Sequence, residues 1–188
     1  MPGGFVKVTV LLALMLLVSG CLDVETYEVR ILREQGDPAV IIAEYVNIYS
    51  DAKTLSDAQD DFDELVKLWR GEEAVRDMKE HGIQAKSREL FIRDGKIIGR
   101  VTGIASSLAA VENMAVNGSQ ILFKPDTDWV IVETNGRILK TAEGEVAAWP
   151  KEAADLRITF RNSHSSNGSQ RGQPALLKLL ADYQAPKK

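Results

Sequence analysis

The chain has 188 residues, a formal net charge of −4, 45% apolar residues and a single cysteine. That length supports one domain with a core of its own. The acidic balance argues against nucleic acid or an anionic lipid surface as an electrostatic partner, and one cysteine excludes an intrachain disulfide.

Lys7 is the only charge before Asp23, and residues 8–18 are apolar except Thr9. Ser19 and Gly20, both small, precede Cys21. A basic start, a short apolar middle and a small-residue exit describe a secretory signal peptide. Val18-Ser19-Gly20-Cys21 resembles the lipobox of bacterial lipoproteins, a resemblance confined to the first twenty-one residues. It implies cleavage between Gly20 and Cys21, a thioether-linked diacylglycerol on Cys21, and acylation of the new amine. Each buried methylene contributes about 0.8 kcal/mol, and two or more chains make such anchoring stable. The lipid then holds the protein on a membrane, facing the periplasm. In enteric bacteria an Asp directly after the lipidated Cys favours the inner membrane. Leu22 holds that place here, which leans towards the outer membrane. Loss of residues 1–20 leaves 168 residues and, with Lys7 gone, a net charge of −5. The competing reading is an uncleaved membrane helix over residues 5–22, which Lys7 interrupts.

Residues 22–26 read as a short tether, and the globular domain is expected over residues 27–161. Tyr27, Val29 and Ile31 alternate with charges, the pattern of a half-buried strand. Residues 39–49 are apolar on both faces, as in a central strand, and a turn at 35–38 makes the two a hairpin. Ser56-Asp57-Ala58-Gln59 reads as a capping box opening a helix. Phe62, Leu65, Val66 and Trp69 follow at helical spacing, and Gly71 ends the helix. A second helix is expected over residues 72–81. Asp94-Gly95 predicts a tight hairpin turn between residues 88–93 and 96–104. Residues 107–114 read as a short helix and residues 120–124 as a strand. Asn135-Gly136 predicts a second hairpin joining residues 129–134 to 137–141. Two more strands follow, at 145–149 and 156–161. Residues 162–173 form a polar, mobile loop, and Pro174 opens a terminal helix in the 174–188 segment. The fold class is therefore α+β: a mainly antiparallel sheet with an inserted helix pair and a short C-terminal helix. A β-sandwich or half-barrel with a helical insert is the alternative.

Chemistry-bearing residues are few. His81, before Gly82, reads as a helix-dipole cap rather than a catalyst. His164 lies among Ser163, Ser165 and Ser166, but a polar loop gives a nucleophile and base no rigid support, and no catalytic residue is assigned. Asp57, Asp60, Asp61, Asp63 and Glu64 read as a solvated helix face. Asp126 and Asp128 are weak calcium candidates, although Pro125-Asp126 reads first as a turn. No phosphate loop or cofactor motif occurs. Trp69 belongs on an apolar helix face, while Trp149, before Pro150, is the best exposed aromatic. The Leu-rich terminal helix packs on its own domain or docks a partner. Leu176, Leu177, Leu180 and Trp149 are accordingly the partner-binding candidates. The resulting expectation is an envelope lipoprotein with a noncatalytic binding or assembly domain. Its partners are the membrane, through the lipid, and an envelope protein. The alternatives are an envelope hydrolase and a carrier of a small apolar ligand.

Overall fold

The computed structural model describes residues 22–34, 38–71, 75–76, 78–79, 82–126, 128–163 and 171–186. The chain is an α+β fold, with two open antiparallel sheets and two long helices among the described residues. Its strands are β1 (Leu22–Arg33), β2 (Ala39–Ser50), β3 (Ile83–Arg93), β4 (Lys96–Ala105), β5 (Met114–Asn117), β6 (Gln120–Phe123), β7 (Trp129–Thr134), β8 (Arg137–Thr141), β9 (Gly144–Pro150) and β10 (Asp155–Asn162). The helices are α1 (Leu55–Arg70) and α2 (Gln173–Gln184). Six strands form one sheet in the order β3-β4-β2-β1-β10-β7, and four form the other, β5-β6-β9-β8. The doubly apolar β2 is central, as its sequence requires.

Pairing register turns sequence alternation into two chemically distinct faces. Tyr27, Val29 and Ile31 lie opposite Tyr45, Ala43 and Ile41, on the inner face. Glu28 and Arg30 lie opposite Glu44 and Ile42, on the outer face. The inner face carries both hydrophobic clusters. One packs β1, β2 and β10 against Ile121, Phe123, Ala147 and Trp149 of the small sheet. The other packs Val24, Ile48, Ile97 and Val101 against Phe62, Leu65 and Trp69 of α1 and Leu176 and Leu180 of α2. Fully burying a side chain of this size contributes about 1.5–3 kcal/mol, so the helices are integral to the domain. The Trp69 ring lies over Gly99, where an added Cβ would sit 2.2 Å from it. Only glycine admits that ring. Trp69 is a core residue, as its helix face predicts.

Several expectations need correction. Residues 22–26 are not a tether, because Leu22, Asp23, Val24 and Thr26 already pair with β2. The helix begins one residue before Ser56, and its cap is Thr54, whose Oγ1 accepts from the Asp57 amide at 3.1 Å. Residues 107–114 hold only a 3-10 turn at Leu108–Ala110, and Asn113 at φ 63° then redirects the chain into β5. Asp94-Gly95 forms the expected turn, with φ 53° and 72°. Asn135-Gly136 does not join a hairpin. β7 belongs to the large sheet and β8 to the small one, and neither residue has a positive φ. The chain crosses between sheets there instead. The expected second helix is helical at Val75, Arg76, Met78 and Lys79; its other residues lie outside the described set.

Candidate functional site

β1 and β2 stop together at the Leu22–Ser50 pair, one residue after Cys21. The polar groups at this end are closely knit. Ser50 Oγ donates to Asp61 Oδ2 at 2.5 Å and accepts from the Ala52 amide at 2.9 Å. The Gly172 amide donates to the Ser50 carbonyl at 3.0 Å, which fixes the start of α2 beside the start of β1. Asn47, at φ 58°, donates from Nδ2 to Glu25 Oε2 at 2.8 Å, and Lys96 Nζ reaches the same oxygen at 3.0 Å. Asp23 Oδ2 accepts from the Tyr49 hydroxyl at 2.7 Å. Asp61 is therefore buried, against the solvated position expected of it. Its helix face turns towards Ser50, which satisfies the carboxylate.

The outer face of the large sheet is a charged groove of about 630 Å³. Glu44 lines it, with Oε1 bound by Arg100 Nε at 2.7 Å and Oε2 by Arg93 Nη2 at 2.8 Å. Burial pushes the Glu44 carboxyl up, but the two guanidiniums outweigh it and hold it below the ordinary carboxylate range. Asp155 is held well below that range by Arg30, which binds both its oxygens at 2.9 Å, and by Arg157. Glu28 is pushed the other way, by burial and then by the charge of Glu44.

Between the sheets lies an apolar space of about 50 Å³, lined by Tyr27, Ile41, Val101, Val111, Met114 and Phe123 among others. Ligand pockets of drug-sized molecules are about 300–1,000 Å³. A ligand larger than a few atoms would have to displace these side chains.

The remaining candidates are dispersed. Trp149 is not an exposed groove residue. It is 3% exposed in the inter-sheet core, because β9 is flanked by β6 and β8. Leu176 and Leu180 are fully buried against their own sheet, and Leu177 is half-buried beside them, so they are not free for a partner. The stripe they form belongs to the second core cluster. Asp126 is half-buried and Asp128 exposed. The Asp126 carbonyl accepts from the Trp129 amide at 3.0 Å, which is turn geometry. Among the described residues, no group of three or more His, Cys, Asp or Glu side chains could hold a metal ion. Ser163 follows β10, and its amide donates to the Asp128 carbonyl at 2.7 Å. Gly20, Cys21, His81, His164, Ser165 and Ser166 lie outside the described residues, as does most of the expected mobile loop. Among the described residues, no helix is long and apolar enough to cross a membrane.

Two features of the end of the sheet at the Leu22–Ser50 pair are not visible in the sequence alone. Leu55 is 71% exposed although it lies on the stripe of Ala58, Phe62, Leu65 and Trp69, all of which are buried. The Ser50–Asp61 bond was legible only as a run of acids, because its partner lies in another element. No protein-family model, curated protein or solved structure matches this chain.

Proposed function

We propose that this chain is an envelope lipoprotein, anchored through Cys21, whose domain binds or assembles with an envelope partner and performs no catalysis. The observation that carries the reading is the sequence Val18-Ser19-Gly20-Cys21 set immediately before a strand paired from Leu22 onward. An acyl anchor at that point holds a rigid domain at the membrane, facing the periplasm. The outer membrane is favoured because Leu22 follows the cysteine. On the outer face of the large sheet, Glu44 and Asp155 have both oxygens engaged by guanidiniums, so the charge of these two serves the sheet. Cys21→Ala in the native host tests the anchor. The variant is expected to keep its leader and to carry no acyl chains, so that it runs above mature size and takes up no labelled fatty acid. A variant that still matures and still partitions into detergent contradicts the reading.

The inter-sheet space favours a second reading, carriage of a small apolar ligand. Its wall is apolar except for Glu112, and Met78 and Met114 line it with adaptable side chains. A fluorescent fatty acid bound by the wild type, with displacement of these side chains, and lost on Val111→Trp would favour carriage. No binding would leave the space as packing.

A further inference from the structure

We propose that the overhanging first turns of α1, led by Leu55, form a second contact with the bilayer, beside the lipid on Cys21. This rests on the anchored reading above. The direction of α1 is fixed at two points. Asp61 meets Ser50, at the level where β1 begins. Trp69, two turns later, meets Tyr45 at 5.4 Å between ring centroids and lies over Gly99, well inside the sheet. The helix therefore runs from the anchor end inward, and Leu55 precedes Asp61 by six residues, about 9 Å of helix.

The apolar stripe of α1 recurs at Leu55, Ala58, Phe62, Leu65 and Trp69. The last four are buried, while Leu55 is 71% exposed. The reason is geometric: both strands beneath the stripe stop at the Leu22–Ser50 pair. A single exposed leucine is ordinary on a protein surface. This one extends a core stripe past the end of its sheet, at the end where the chain enters the domain. Only Cys21 separates the acyl chains from Leu22, so the anchor cannot hold this end far from the bilayer. Lys53 precedes Leu55 and has a stem long enough to reach the headgroups. Asp51, Asp57 and Asp60 are exposed on the same segment and would be repelled by anionic lipid, so the surface that fits is zwitterionic.

The test uses the lipidated protein. Acylation consumes Cys21, the only cysteine, so Leu55→Cys introduces a unique thiol for an environment-sensitive fluorophore. Ala154→Cys is the control. Its carbonyl accepts from the amide of Arg33, at the opposite end of the twelve-residue β1 and about 36 Å from Leu22. Both sites are exposed, so labelling spares the core. On phosphatidylcholine vesicles, the label at 55 is expected to shift to the blue and to be quenched by doxyl-labelled lipid. The label at 154 is expected to do neither. Identical emission at the two sites on vesicle-bound protein overturns the second contact and leaves the anchor standing. Failure of the labelled proteins to bind vesicles at all overturns the anchored reading and this contact with it.

Discussion

The indole Nε1 of Trp149 donates to Asn135 Oδ1 at 2.8 Å, and through this bond the chain crossing ties the small sheet to the large one. The same oxygen accepts from the Arg157 amide at 2.8 Å, and Asn135 Nδ2 donates to the Asp155 carbonyl at 2.9 Å. Asn135 thus bridges β9 to β10. Gly136 follows because the crossing is tight: an added Cβ would lie 2.5 Å from the Ala148 carbonyl oxygen. Asn135→Ala orphans the buried indole donor and is expected to cost about 1–3 kcal/mol. Trp149→Phe, which keeps a ring and removes the donor, should cost less than Trp149→Ala. Urea unfolding midpoints measure both. An Asn135→Ala midpoint equal to wild type would mean that the bond does not hold the sheets together.

The outer-face carboxylates give stability a pH dependence of mixed sign. Glu44 and Asp155 are lowered in the fold. Their contribution is present above the unfolded carboxylate values, about 4, and is lost as pH falls through the folded values. Glu28 is raised. Its contribution is present below the unfolded glutamate value and is lost as pH rises through the folded one. Glu28→Gln is therefore expected to raise Tm at pH 7 and to leave it unchanged near pH 3. A lower Tm at pH 7 would show Glu28 to be a favourable charge.

Leu176 and Leu180 are fully buried in their own domain. Leu176→Ala or Leu180→Ala should lower stability by about 2–5 kcal/mol, the range for cavity-forming core substitutions. Calorimetry measures this. Unchanged melting, with loss of a complex from the membrane, would instead make α2 a docking element.

All five residues of β8 are exposed, with Ile138 and Leu139 on opposite faces of an open sheet edge. Arg137 and Lys140 supply the charge that discourages edge-to-edge pairing. Replacing both with Val should produce concentration-dependent association in sedimentation velocity. A variant that stays as monodisperse as wild type would show that something other than charge protects the edge.

Local chemistry was legible in the sequence wherever it also decided the structure. Asp94-Gly95 needs only its own φ angles to turn the chain, and β2 needs only its two apolar faces to be central. Asn135-Gly136 carries a similar signal, but bonds to Trp149, Arg157 and Asp155 commit it to a crossing. Local propensity contains none of those partners. Ser56 offered a plausible cap two residues too late, and Thr54 won because the first turn begins at Leu55. Trp149 looked terminal because Pro150 follows, yet it is paired with Ile121 of β6. Asp61 resembled its acidic neighbours until Ser50 was placed beside it. The exposure of Leu55 at the end of its stripe was not legible, since it depends on where β1 and β2 end.

Intact-mass spectrometry of the chain, extracted by detergent from membranes of its native host, tests the anchor most directly. The expected mass is that of residues 21–188 plus a diacylglycerol and an amine-linked acyl chain. A mass showing an unmodified Cys21, or residues 1–20 still attached, would contradict both the anchor and the bilayer contact built on it.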